Sequence, residues 1–69
     1  MRYEISKTSK VTLKVFDVLG RLVQTLVSAV QSPGQYTVSF NAQNLASGVY
    51  FYQLNAGSFI ATKKLMLLK

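Results

Sequence analysis

Sixty-nine residues with a formal net charge of +6, 49% hydrophobic content and neither cysteine nor histidine bound this chain to one small domain at most. Disulfide staples, thiolate or imidazole metal sites and histidine catalysis are ruled out, so the fold must rest on apolar burial, within the chain or shared through self-association. The eight basic residues (Arg2, Lys7, Lys10, Lys14, Arg21, Lys63, Lys64, Lys69) face only Glu4 and Asp17, a balance that favours anionic partners, although their scatter over turns and termini also fits solvated loops.

The chain opens Met1-Arg2-Tyr3-Glu4 and runs into a polar stretch, with no apolar core of a signal peptide and no later run long enough to span a bilayer. An exported protein with this start is expected to be a fragment whose signal lay upstream. Tyr3 to Ile5 can supply a short first strand before the polar residues Ser6 to Lys10. Val11, Leu13 and Val15 then alternate with Thr12 and Lys14, which predicts a strand with one buried and one wet face. Leu19-Gly20-Arg21 is a tight-turn signal.

Leu22 to Val30 is ambiguous. Leu22, Val23, Leu26, Val27 and Val30 make a passable helical stripe, but the β-branched content and the absence of an N-cap favour a strand with a bulge. A helix here would make the fold α+β. Gln31-Ser32-Pro33-Gly34 is the strongest break in the chain. Tyr36, Val38 and Phe40 alternate with Thr37 and Ser39 and predict a further strand. Asn41 to Gly48 reads as loop. Gly48 to Asn55 has Tyr50, Tyr52 and Leu54 on one face and Val49 and Phe51 on the other, as expected of a strand in the middle of a sheet. Asn55-Ala56-Gly57-Ser58 is a hairpin turn, and Ser58 to Leu68 a last strand ending in Leu65-Met66-Leu67-Leu68. The pattern predicts an all-β, immunoglobulin-like antiparallel β-sandwich of about six to seven short strands, occupying residues 1–69 as one unit.

The chemistry available is narrow. Glu4 sits on a short terminal strand and Asp17 precedes a turn whose backbone an aspartate commonly holds, so the two make a poor general acid–base pair. No serine has a base other than lysine, and no phosphate loop or dinucleotide fingerprint occurs. The expectation is a non-enzyme that calls for no cofactor and no metal. Tyr50, Phe51 and Tyr52 beside Lys63 and Lys64 could in principle stack single-stranded nucleic acid, but alternate aromatics at strand spacing are better read as core.

Four pieces then fall in order: Val11-Thr12-Leu13-Lys14-Val15-Phe16-Asp17-Val18-Leu19-Gly20-Arg21, Pro33-Gly34-Gln35-Tyr36, Leu45-Ala46-Ser47-Gly48-Val49-Tyr50-Phe51-Tyr52 and Lys63-Lys64-Leu65-Met66-Leu67-Leu68-Lys69. Together they closely resemble the type A C-terminal sorting domain of proteins exported by the type IX secretion system of certain Gram-negative bacteria, a family similar to the immunoglobulin-like domain of flagellar hook-capping proteins. The resemblance implies a seven-stranded sandwich carried at the C-terminus of a larger cargo. It implies recognition by the outer-membrane machinery after the cargo reaches the periplasm. A cell-surface sorting peptidase then typically removes the module, and cargo is released or joined to anionic lipopolysaccharide. On this resemblance the tail Lys63, Lys64, Leu65, Met66, Leu67, Leu68 and Lys69 is the part needed for translocation, and Gly48, Val49 and Tyr50 set the geometry that supports it. The chain begins after the Asn-Pro-rich segment that family members usually carry, so a first strand left incomplete predicts exposed sheet edges and a homo-oligomer or strand exchange in the isolated domain.

Alternation places Leu65 and Leu67 on one face of the tail and Met66 and Leu68 on the other. Either the tail is a central strand covered on both sides, or part of it faces a partner, with the lysines drawing that partner in electrostatically. Two other functions share the pattern: a structural or adhesion immunoglobulin-like module of a secreted protein, and the small basic barrel for single-stranded nucleic acid.

Overall fold

Val11, Leu13 and Val15 are 0%, 2% and 0% exposed in the computed structural model, which describes residues 1–68, and the strand that carries them organises the rest. The elements run β1 (Arg2–Ile5), β2 (Ser9–Asp17), β3 (Leu22–Gln31), β4 (Gly34–Thr37), β5 (Gly48–Ala56) and β6 (Phe59–Leu67). They form a four-stranded sheet in the order β3-β2-β5-β6 and a two-stranded sheet of β1 and β4, with every pairing antiparallel. No helix occurs among the described residues, and the layers make an all-β sandwich of six strands.

The core follows from period-two alternation on β2 and β5. Val11, Leu13 and Val15 lie opposite Ala56, Leu54 and Tyr52 in the β2–β5 ladder, so one face of the large sheet is continuously apolar. The small sheet closes over it: Ile5 joins Val11, Leu13 and Leu54 in the buried cluster, and Tyr3, Tyr36 and Val38 pack at its margin. Tyr3 and Tyr36 are register partners whose rings stack with centroids 5.4 Å apart. The Tyr3 hydroxyl donates to Gln31 Oε1 at 2.6 Å, tying the small sheet to β3. Burial pushes the Tyr3 phenol above its ordinary pKa, against that hydrogen bond.

The ambiguous segment is a strand, and its bulges explain the helical-looking stripe. Leu13 pairs with Val27 but Lys14 with Thr25, and Val15 pairs with Gln24 but Phe16 with Leu22. Leu26 and Val23 are the extra residues, one at each register shift. An inserted residue lets two consecutive side chains point inward, so Leu26 and Val27 both pack on the core. The fourth strand is shorter than its alternation predicts. It ends at Thr37, and beyond it Val38 exchanges two bonds with Met1, its amide donating to the Met1 carbonyl and its carbonyl accepting from the Met1 nitrogen, each at 2.7 Å. The ladder with β1 pairs β4 as far as Thr37, opposite Arg2, and Ser39 and Phe40 belong to no strand.

The β2–β3 connection is fixed by Asp17. Its carbonyl accepts from the Gly20 amide at 3.0 Å and its amide donates to the Arg21 carbonyl at 2.9 Å, a three-residue loop that places Gly20 at φ +83°. A side chain at Gly20 would be strained there, which accounts for the glycine. Asp17 Oδ1 accepts from the Leu19 and Arg21 amides, each at 2.9 Å, and Oδ2 from Arg21 Nε at 2.8 Å. The Arg21 amide foremost, then the guanidinium and the Leu19 amide, hold this carboxyl below its ordinary pKa of 3.8 against some opposing desolvation.

A carboxyl with a lowered pKa in the folded state stabilises fully above its unfolded value, and loses that contribution as pH falls through the folded one. Thermal melts from about pH 5 down to about pH 2 should therefore show a steeper acid loss in the unsubstituted domain than in Asp17→Asn. Superimposable acid profiles would remove the turn from the account of acid stability.

Candidate functional site

β6 is the outer strand of the large sheet, held on one side only. Its register against β5 pairs Gly48 with Leu67, Val49 with Met66, Tyr50 with Leu65, Phe51 with Lys64 and Tyr52 with Lys63. The two groups named from the sequence, Gly48-Val49-Tyr50 and the tail from Lys63 to Leu68, thus meet at the open end of the β5–β6 hairpin. Lys69 lies outside the described residues. The covering of the tail is uneven. Leu65 and Leu67 are half-buried on the core side, whereas Met66 is 62% and Leu68 82% exposed. Lys63 and Lys64 are both exposed. A central position for this strand, with both faces covered, is therefore not what the fold provides. That position belongs to β5, which lies between β2 and β6 as its two-faced apolar pattern requires.

The start of β5 is locally anchored. Tyr50 is 7% exposed, and its hydroxyl donates to the Ala46 carbonyl at 2.7 Å, fastening the loop that delivers the chain into the strand. Gly48 enters at φ +153°, a conformation that side chains seldom adopt, with no atom close enough to obstruct an added Cβ. The glycine is needed there for backbone geometry rather than for space.

The remaining candidates separate. Tyr50 and Tyr52 turn to the core side and Phe51 to the opposite face, so the three successive aromatics do not form one stacking surface beside Lys63 and Lys64. Glu4 lines a cleft of about 420 Å³ with Ile5, Ser6, Lys7, Ser9 and Phe59, at the end of the molecule where β2 begins. Asp17 closes β2 at the opposite end, roughly 25 Å of strand away, and its carboxylate is occupied by Arg21. The two carboxylates share no site. Among the described residues no group of three or more potential metal ligands occurs, and no helix is long and apolar enough to cross a membrane.

One feature was not legible as a site in the sequence. On the outer face of the large sheet, Leu22, Phe16, Phe51 and Lys64 form one continuous row across all four strands. Val49 and Met66 form the adjoining pair. Phe16 and Leu22 gain meaning only from pairing: the bulge at Val23 brings Leu22 level with Phe16. Locating the two bulges in β3 would have been the signal that found them.

Taken as a whole, the molecule is a β-sandwich whose exposed chemistry lies on an edge strand and a sheet face, the form of an interaction module. The chain belongs to the family of secretion system C-terminal sorting domains, whose family model matches residues 2–68. No curated protein gives a significant match to the chain. No solved structure does so either. Membership makes the chain a C-terminal sorting signal for type IX secretion. It implies interaction with the type IX machinery, a fused N-terminal cargo, and export to the cell surface or the extracellular space as part of a larger protein.

Proposed function

We propose that the domain is a non-catalytic label read in its folded form by the type IX outer-membrane machinery, with β6 as the recognition element. The observation that carries this is the exposed, one-sided edge strand. The outward row of its backbone groups has no strand beside it and can accept one, Met66 and Leu68 offer apolar contacts, and Lys63 and Lys64 add charge. Gly48, Val49 and Tyr50 hold that strand in register from the neighbouring side. Cargo joined before Met1 travels with the domain through the periplasm, and the sorting peptidase cuts upstream of the sandwich. The residues from 1 to 69 act as one unit in this process.

Fusing residues 1–69 behind a periplasmically targeted fluorescent protein, in a host with the type IX system, tests the role of the tail. Fluorescence outside the cell should depend on residues 63–69. Periplasmic retention of both folded fusions, unrelieved by restoring an Asn-Pro-rich segment upstream, would contradict the proposal.

The isolated domain is proposed to self-associate through the other edge. β3 spans ten residues without a charge, whereas natural edges are usually guarded by charged side chains, proline or bulges. Its two bulges guard it only in part, and Leu22 and Val30 remain exposed along it. Light scattering at rising concentration should show a dimer or larger species that Thr25→Lys disperses. A sharply monomeric mass at high concentration would sink this proposal.

A further inference from the structure

We infer that the outer face of the four-stranded sheet is a second docking surface, fitted to a protein partner that presents an apolar patch ringed by carboxylates. The inference rests on the sorting reading and deepens it, because the partner is taken to be part of the type IX outer-membrane complex. The alternation that buries Val11, Leu13 and Leu54 turns Phe16 and Phe51 outward on adjacent strands, where they are register partners and half-buried. Leu22, 55% exposed, extends the row on one side, and Met66 lies beside Val49 on the other. In a sandwich of this kind the outward positions are normally polar, and a contiguous apolar patch there marks a contact surface.

Charge supplies the character of the partner. Lys64 ends the row through Phe51, Lys14 lies one alternation along β2 from Phe16, and Lys10 occupies the same face further on. No acidic residue shares this face. The chain has only two, Glu4 on the small sheet and Asp17 engaged by Arg21 in the turn. A second copy is a poor occupant, because a two-fold pairing of this face would oppose lysine to lysine with no carboxylate between them.

The rest of the face argues for protein rather than lipid. Next to the patch, Asn55 Nδ2 donates to Thr12 Oγ1 at 3.3 Å and Gln53 Nε2 to Thr62 Oγ1 at 3.2 Å. These fixed amides and hydroxyls suit a surface with directional partners of its own, as a polar rim does around an apolar centre. The position is also accessible with cargo attached, since a chain joined before Met1 enters through β1, in the opposite layer.

The test measures binding of the purified domain to the purified, detergent-solubilised type IX outer-membrane complex, immobilised through its own tag. Leu22→Ser and the double variant Lys10→Glu/Lys14→Glu, each checked for an unchanged fold by circular dichroism and melting, should bind about tenfold more weakly. The charge-reversed variant should also lose most of its salt dependence. Ile60→Ser, exposed on the same face but distant from the patch, should bind normally and serves as the control. Unchanged binding by both patch variants would overturn the inference while leaving the edge-strand reading standing. No binding by the unsubstituted domain would overturn both. Comparable binding to vesicles of phosphatidylglycerol and phosphatidylethanolamine, or to an oligothymidylate strand, lost in the same variants, would overturn it in favour of a lipid or nucleic-acid surface.

Discussion

Val11, Leu13 and Val15 press against Ala56, Leu54 and Tyr52 along the β2–β5 ladder, and every other element takes its place from that contact. The small sheet has a layer to close over only because those side chains alternate inward. The tail has a strand to pair with only because β5 is held firmly from its other side. Large-to-small changes at such positions typically cost about 2–5 kcal/mol, a large share of the stability of so small a domain. The sorting element proposed for β6 is therefore a property of the folded sheet, since the register that sets Met66 outward and Leu65 inward exists only while β5 is in place.

The same smallness explains the surface. Among the described residues six apolar side chains are buried, while eight large ones are exposed, and that imbalance is more than isolated surface leucines and valines require. The exposed ones include Leu22 and Met66 on the outer face and Leu68 just beyond the last strand. With so little core to offer, a domain of this length has apolar surface to bury against other chains. The basic balance points the same way. Glu4 meets β6 only at Phe59, and Asp17 is engaged by Arg21, so Lys10, Lys14, Lys63 and Lys64 form no ion pair with either carboxylate.

Much of the architecture was legible in the sequence, because period-two alternation on β2 and β5 is strong and the turns at Gly20, Pro33-Gly34 and Gly57 are well marked. The bulged strand was legible as well, through its β-branched residues, although the positions of the bulges were not. Local pattern could not show that β4 stops at Thr37, since Val38 and Phe40 alternate as well as Tyr36 does. The length of that strand depends on its pairing with β1, a non-local fact. For the site, spacing told which tail residues share a face, but not that β6 is an edge, which depends on strand order. The outer row of Leu22, Phe16 and Phe51 was hidden for the same reason, being assembled from three strands and one register shift.

The central claim is that the label is read with β6 docked on β5, and locking that pair tests it most directly. The chain contains no cysteine, so Val49→Cys/Met66→Cys offers a single unambiguous disulfide. Antiparallel partners lie about 4.5–5.5 Å apart at Cα, within the range a disulfide spans, and the periplasm permits its formation. The locked domain should export a fused fluorescent protein as well as either single variant does. Retention of the locked form in the periplasm, with both single variants exported, would mean that the machinery reads a freed strand, and would contradict the account.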